Sequence, residues 1–221
     1  MDARKYGRTY HFPFSPGATS DDRILADWEG LVQHPLEMTE KLAGENTCLK
    51  PAGVYARSHA AITQNPWARN MWSIWERTKN ALGSLEVFGE NLYGIHSIEY
   101  ERLPHHFFVF AIRDGDQWLA WDEVLFYAEA LELATVPVFE QGRFTAAALQ
   151  PLIERRLMEG SAFGGACEGF VFRNAAAFGV EDFTYNVLKY VRKNHVTTDE
   201  HWTKHWRRAQ LWYESPAVRY W

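Results

Sequence analysis

The stretch Thr39-Glu40-Lys41-Leu42-Ala43-Gly44-Glu45-Asn46 decides how this chain is read. It sets one lysine in a short polar turn, with a glycine three residues later and a carboxylate on either side. A lysine beside a turn is usually only solvated, and a Lys-x-x-Gly tetrapeptide arises often by chance. The chemical alternative is a nucleophile. A lysine amine attacks only when neutral, and its free pKa is about 10.4, so its surroundings must lower that value or take the proton. Nearby cations and a bound divalent metal both favour the neutral form. The rest of the chain decides between the two readings.

Five further stretches follow in order: Tyr55-Ala56-Arg57-Ser58-His59, Gly89-Glu90-Asn91-Leu92-Tyr93-Gly94, Phe107-Phe108-Val109-Phe110-Ala111-Ile112, Glu168-Gly169-Phe170-Val171-Phe172-Arg173 and Leu188-Lys189-Tyr190-Val191-Arg192. With the lysine stretch they resemble motifs I, Ia, III, IIIa, IV and V of the covalent nucleotidyltransferases, the superfamily of ATP-dependent DNA and RNA ligases and RNA capping enzymes. The third and last motifs are most similar to those of the RNA ligases. The runs Arg8-Thr9-Tyr10-His11-Phe12-Pro13-Phe14 and His195-Val196-Thr197-Thr198-Asp199-Glu200-His201-Trp202 resemble bacterial and phage members of that family.

The resemblance implies a nucleotidyltransferase fold with ATP between two sheets. It also implies a reaction: Lys41 takes AMP from ATP, the AMP passes to an RNA 5′-phosphate, and a 3′-hydroxyl then joins the ends. Carried over residue by residue, it implies Lys41, Glu168 and Lys189 as catalytic. Glu40 would read the adenine edge, Asn46 would touch ribose or phosphate, and Arg57 phosphate. Phe110 would stack on adenine, sharing a strand face with Phe108, which reads as core. Glu90 would bind ribose hydroxyls or a metal-bound water, and Glu168 would orient Mg²⁺ or Mn²⁺. Val191 stands where motif V often has a second lysine, so Lys189 carries the charge with Arg192 as a partial substitute. Lys189 and Arg192 would also supply the cations that neutralise Lys41.

Ala43 departs from the motif, which has an acid at that position. The chain then reads as a variant stalled by design, as a natural member compensated by Glu45 or another acid, or as a degenerate ligase kept for binding. The intact Lys41, Glu90, Glu168 and Lys189 argue against wholesale decay, and the first reading is preferred. RNA ends and ATP are the implied partners. A standalone enzyme, a homodimer and assistance by an RNA-repair partner protein all stay open. So do a DNA ligase or capping enzyme, and a silent RNA-end-binding protein.

The 221 residues are 47% hydrophobic and 15% aromatic, the composition of a folded globular protein. No apolar run approaches the ~20 residues that span a bilayer, and no apolar segment follows the charged N-terminus, so neither membrane insertion nor secretion is expected. Cys48 and Cys167 lie far apart, which fits free thiols in a reducing cytoplasm better than a disulfide. Nine histidines show no Cys/His metal spacing; His201 and His205 are four apart but lack a third ligand. The net charge of −5 argues against a uniformly basic nucleic-acid coat.

Strands are predicted at Val54 to Arg57, Leu85 to Phe88, Phe107 to Ile112 and Gly169 to Phe172, all rich in branched and aromatic residues. Helices are predicted at Ser20 to Trp28, at Asp122 to Leu131 with Asp122 as N-cap, and at Thr145 to Met158 with Thr145 as cap. The class is α+β with antiparallel sheets, as one domain over 1–221 without a separate OB domain. Residues 194–221 read as a C-terminal helical extension. Lys193, Lys204, Arg207, Arg208 and Arg219 interleave there with Trp202, Trp206, Trp212 and Trp221. Such a tail suits unpaired bases and phosphates. The spacing of Trp202 and Trp206 suits packing against the body equally.

Overall fold

The computed structural model describes residues 5–194 and 202–215. The strands, in chain order, are β1 (Tyr10–His11), β2 (Leu36–Glu40), β3 (Glu45–Lys50), β4 (Gly53–Ala56), β5 (Leu85–Asn91), β6 (Phe107–Asp114), β7 (Gln117–Trp118), β8 (Ala134–Thr135), β9 (Val138–Gly142), β10 (Gly169–Asn174), β11 (Phe178–Gly179) and β12 (Val187–Val191). The α-helices are α1 (Arg69–Thr78), α2 (Trp121–Ala130), α3 (Ala146–Glu159) and the short α4 (Phe183–Asn186). One sheet has the order β1-β12-β10-β2-β9, the other β11-β7-β6-β5-β3-β4 with β8 beside β6. Only β1–β12 and β6–β8 are parallel pairs among these described strands.

Strand alternation builds the layers. On β10 and β12, Phe170, Phe172, Leu188 and Tyr190 point to one side and pack with Leu149, Leu152 and Ile153 of α3. Val171, Arg173, Val187 and Lys189 point to the other side, toward a cavity. In the second sheet Leu49, Val54, Val87, Val109 and Ile112 join Met71 of α1 and Val124 and Ala128 of α2 in the largest core cluster. Asn46, Glu90, Phe110 and Ala111 reach the cavity. Each sheet therefore has its own apolar backing, and between the sheets a third cluster, with Phe88, Ala111, Trp118, Phe183 and Val187, floors a cavity that polar side chains also enter.

All four predicted strands are present. One helix starts elsewhere than expected, and the other takes its expected cap residue. The N-cap of α2 is Ala120, whose N–H donates to Glu123 Oε2 at 2.9 Å; Asp122 lies in the first turn. Thr145 sits at the N-cap of α3 without a side-chain capping bond. The helix expected over Ser20 to Trp28 does not form. His11 N–H donates to Arg23 O and Leu25 N–H to His11 O, tying the segment to β1 as an extended bridge, and a 3-10 helix follows at Trp28–Gln33. Here tertiary backbone bonds outweigh local spacing.

The C-terminal extension is not a continuous helix where it is described. It makes two 3-10 turns, Trp202–His205 and Trp212–Glu214, and a bridge between Gly94 and Arg208. Trp202 stacks on His96 with ring centres 3.7 Å apart and meets Trp67 edge-on, while Trp206 leans on Tyr93 and Trp67. These two rings pack on the body, so they are not the free stacking surface that the spacing also allowed. Trp212 remains 45% exposed. Residues 195–201, with His195 and the zinc-pair member His201, lie outside the described residues, as do Arg219 and Trp221. Cys48 and Cys167 are free and buried. Among the described residues no helix is long and apolar enough to cross a membrane.

Candidate active site

The decisive stretch turns out to be the crossing between the sheets. Thr39 and Glu40 end β2 in one sheet, Lys41 to Gly44 form the crossing, and Glu45 opens β3 in the other. Lys41 is pinned by its N–H, which donates to Gly169 O at 2.9 Å. Gly44 is required by space: a Cβ there would stand 2.5 Å from Asn91 O. Its N–H donates to Glu90 Oε1 at 3.0 Å.

A cavity of about 350 Å³ opens at this crossing. It brings together Glu40, Lys41, Asn46, Arg57, Glu90, Phe110 and Lys189, seven of the nine residues implied from sequence. Glu168 does not line it but touches it through Lys41, whose Nζ donates to Glu168 Oε1 at 3.0 Å. Arg192 does not line it either. Its backbone N–H donates to Glu168 O and its buried Nε has no hydrogen-bond partner, so it abuts the β10 entry rather than the cavity.

Phe110 owes its place to a β-bulge. Phe88 pairs with Ala111 and Gly89 with Val109, which leaves Phe110 as the extra residue on β6. Bulges re-aim side chains beside functional sites. Phe110 and Phe108 therefore do not share a face as simple alternation predicts. Phe108 is buried in the core against Phe163, whereas Phe110 lines the cavity with Tyr6 set edge-on at 4.9 Å. The cavity wall also includes Tyr6, Thr9, Val171 and Arg173, which sequence reasoning did not single out for roles. Arg173 could have been suspected as a charged residue ending an apolar strand. Burial lowers its pKa to about 10, so it stays charged at neutral pH, donating to Leu119 O and Asn174 O.

The electrostatics are those of carboxylates and cations brought close together, with Glu40, Glu45 and Glu90 beside Lys41, Arg57, Arg173 and Lys189. Burial works to neutralise Lys41, but the carboxylates of Glu168 and Glu90 outweigh it and hold the amine's pKa above its ordinary value. This corrects the expectation that Lys189 and Arg192 neutralise it: Arg57 pushes in that direction and is outweighed, and Lys189 is turned to Asp22 at 3.4 Å. Burial, reinforced by the charge of Glu168, lifts Glu90 to about 7 against the pull of Lys41. Burial also raises Glu40, whose Oε2 accepts from Ala162 N–H at 3.0 Å.

The buried Oε2 of Glu168 has no hydrogen-bond partner. That orphaned oxygen, and a neighbouring carboxyl that ionises only near neutrality, fit a divalent cation. Among the described residues no cluster of three or more metal-ligating side chains exists.

Ala43 is not a cavity residue. It is 6% exposed, packs within the largest core cluster, and donates its N–H to Tyr100 Oη at 2.9 Å. Glu45 does line the cavity. A carboxylate at position 43 would be buried against that core. Ala43→Asp is expected to lower unfolding free energy by about 3–5 kcal/mol, the scale of an uncompensated buried charge, without accelerating any chemical step. Denaturant unfolding and timed self-adenylylation check this; an unchanged midpoint with a faster step would support the stalled-variant reading instead.

An archaeal ATP-dependent RNA ligase superposes with a TM-score of 0.55 at 16% identity, covering 86% of this chain and 48% of that one. A Naegleria gruberi RNA ligase solved with pyrophosphate gives 0.53 at 20%, covering 87% and 60%. A variant of the Naegleria enzyme with AMP and manganese gives 0.52 at 20%, covering 85% and 60%. The chain thus spans about half the length of the archaeal ligase and 60% of the Naegleria one. These likenesses bear on the fold. No curated protein sequence matches significantly. The RNA ligase family profile matches residues 34–191, from just before β2 through all of β12. The chain belongs to the RNA ligase family.

Proposed function

We propose that this chain is an ATP-dependent RNA ligase that carries AMP on Lys41 and joins RNA 3′-hydroxyl to 5′-phosphate ends in RNA repair. The observation that carries the reading is the amine of Lys41 at the sheet crossing. It stands 3.0 Å from Glu168, on a cavity whose walls hold Arg57, Glu90, Phe110 and Lys189. The ATP dependence of the archaeal relative, and the pyrophosphate, AMP and manganese in the Naegleria structures, support the same substrate and metal here.

In the first step a bond forms between Lys41 Nζ and the α-phosphorus, and the bond to the pyrophosphate oxygen breaks. The proton that Glu168 and Glu90 hold on the resting amine must leave first. Glu168 and Glu90 would hold a divalent cation, which would supply positive charge that makes the amine easier to deprotonate and offsets the phosphate charge. Arg57 and Lys189 meet the triphosphate and the departing pyrophosphate, where fixed cations act on charge as it develops. Phe110 and Val171 offer apolar surfaces from the two facing sheets to a flat base. Glu40, with its Oε1 buried and unpartnered, is available to a donor on the base edge. The AMP then passes to an RNA 5′-phosphate, and attack by a 3′-hydroxyl releases it.

The deciding experiment is transfer of label from α-labelled ATP to the protein, with GTP, CTP and UTP in parallel, followed by sealing of nicked, stem-loop and single-stranded RNA. Labelling by ATP and sealing of at least one RNA are expected. RNA binding without labelling would identify a silent end-binding protein, and preference for GTP a capping-type enzyme. Phe110→Ala is expected to weaken ATP use by ~1–3 kcal/mol, the value of a base–aromatic stack, read as a raised KM for ATP. A lowered melting temperature with unchanged KM would return Phe110 to the core.

A further inference from the structure

Lys189 is held by a network that no sequence motif announces. Its Nζ lies 3.4 Å from Oδ1 of Asp22, 167 residues upstream. The other oxygen of Asp22 accepts two hydrogen bonds from Thr19, one from the backbone N–H and one from the hydroxyl, each 3.0 Å. Oδ1 also faces His11 Nε2 at 3.3 Å. On the far side of the ring, His11 Nδ1 is 2.7 Å from Ser15 Oγ, and Ser15 Oγ accepts the N–H of Val191 at 2.9 Å.

The contacts close a loop. β1 runs parallel to β12 with His11 opposite Lys189, so the same strand is gripped through its backbone by Ser15 and through its lysine by Asp22. Burial brings the His11 pKa down to about 4, so the ring is neutral. Its Nε2 faces Asp22 Oδ1 as a close contact, and Ser15 Oγ lies within reach of both His11 Nδ1 and, at 3.5 Å, Val191 O. Asp22 therefore has little freedom to move.

A lysine needs such a hold here. Its four-carbon stem is flexible, and fixing it costs about 2 kcal/mol of rotamer entropy. Lys41 and Arg57 repel it across the cavity. An ammonium has three donors, so it can keep Asp22 while meeting a phosphate oxygen.

We propose that Asp22, itself fixed by Thr19 and His11, is a positioning residue that aims the Lys189 ammonium at the nucleotide phosphates. This rests on the reading of Lys41 and Lys189 given under Proposed function. An aim set before ATP arrives acts on the chemical step more than on binding.

The test is single-turnover self-adenylylation of the full chain by ATP, over a range of ATP concentration and pH, with melting temperatures measured alongside. Asp22→Asn is expected to lower the rate constant at saturating ATP by about 10- to 100-fold, the cost of a misplaced group. Half-saturating ATP should change far less. Asp22→Glu, which keeps the charge, should recover part of the loss. The groups facing Lys189 are Asp22 from the N-terminal turn, Lys41 from the sheet crossing and Arg57 from beyond β4. Asp22 is the one that favours the charged amine, so its neutralisation should move the alkaline limb of the rate profile to lower pH. In a Lys189→Ala background, Asp22→Asn should have no further effect, whereas a merely structural role would add to the loss.

Wild-type rates in Asp22→Asn overturn the proposal, as does a loss that persists undiminished without Lys189. If Asp22→Asn unfolds, Asp22→Glu decides by the same comparison of rate constant and half-saturation. Failure of the wild-type chain to form an adduct on Lys41 defeats the proposed function and this inference together. A Lys41 adduct with an indifferent Asp22 defeats this inference alone.

Discussion

Lys41→Ala is expected to leave no alkali-stable, amine-linked AMP on the protein, a loss of ~10⁴-fold or more, of the order seen when a covalent nucleophile is deleted. The expectation rests on position. Lys41 sits at the join of the two sheets with its N–H bonded to Gly169 O and its amine on Glu168, a quarter of the side chain still open to solvent. The other cavity lysine, Lys189, is paired with Asp22, and Lys50 is paired with Glu86 at the far end of β3. Removing Lys41 also strips Glu168 of its counter-charge. Lys41→Arg, which keeps a cation but offers no nucleophile at usable pH, should be equally inactive while holding more of the stability. Labelled ATP, a denaturing quench at alkaline pH and peptide mapping give the answer. Covalent label on either variant would show that the nucleophile lies elsewhere.

The second large effect concerns Glu168. Glu168→Ala is expected to slow adduct formation by ~10²–10³-fold, the scale of one lost charge-stabilising contact. Two consequences oppose each other. Glu168 is the strongest carboxylate influence holding Lys41 charged, so its loss lets burial pull the amine's pKa down and exposes more of the neutral nucleophile. Against that, the orphaned Oε2 that suits a cation is gone. The second is expected to win, because an amine can be deprotonated by raising pH whereas charge on the phosphates cannot be offset that way. The sign is checkable. The variant's rate should reach its alkaline plateau at lower pH than wild type, at a much lower level, and should respond weakly to Mg²⁺ or Mn²⁺. A rate equal to wild type at every pH would remove Glu168 from the chemistry.

Much of this could be read in the chain itself. The strands at Phe107 to Ile112 and Gly169 to Phe172 were legible because their burial is decided by branched and aromatic residues over a few positions, which is a local property. Seven of the nine implied site residues reach one cavity because motif order along the chain maps onto strands that face each other. Misreadings came where a long-range contact beats a local rule. The bulge that frees Phe110 depends on pairing with β5, about twenty residues away, and simple alternation cannot foresee it. The segment Ser20 to Trp28 has helical spacing, yet two backbone bonds to His11 draw it into an extended bridge and so deliver Asp22 to Lys189. Ala43 looks like a missing catalytic acid in the linear pattern. Only its surroundings, with Tyr100 on its N–H and core on its methyl, mark it as packing.

The sequence by itself determined the class, the family resemblance and the identity of the lysine at issue, because these depend on residue types and their order. The tertiary structure alone decided which groups hold that lysine's proton, where Arg192 and Ala43 point, and what grips Lys189. Those depend on distances of a few ångströms between residues far apart in the chain, and charge interactions, burial and hydrogen bonds change steeply over that range.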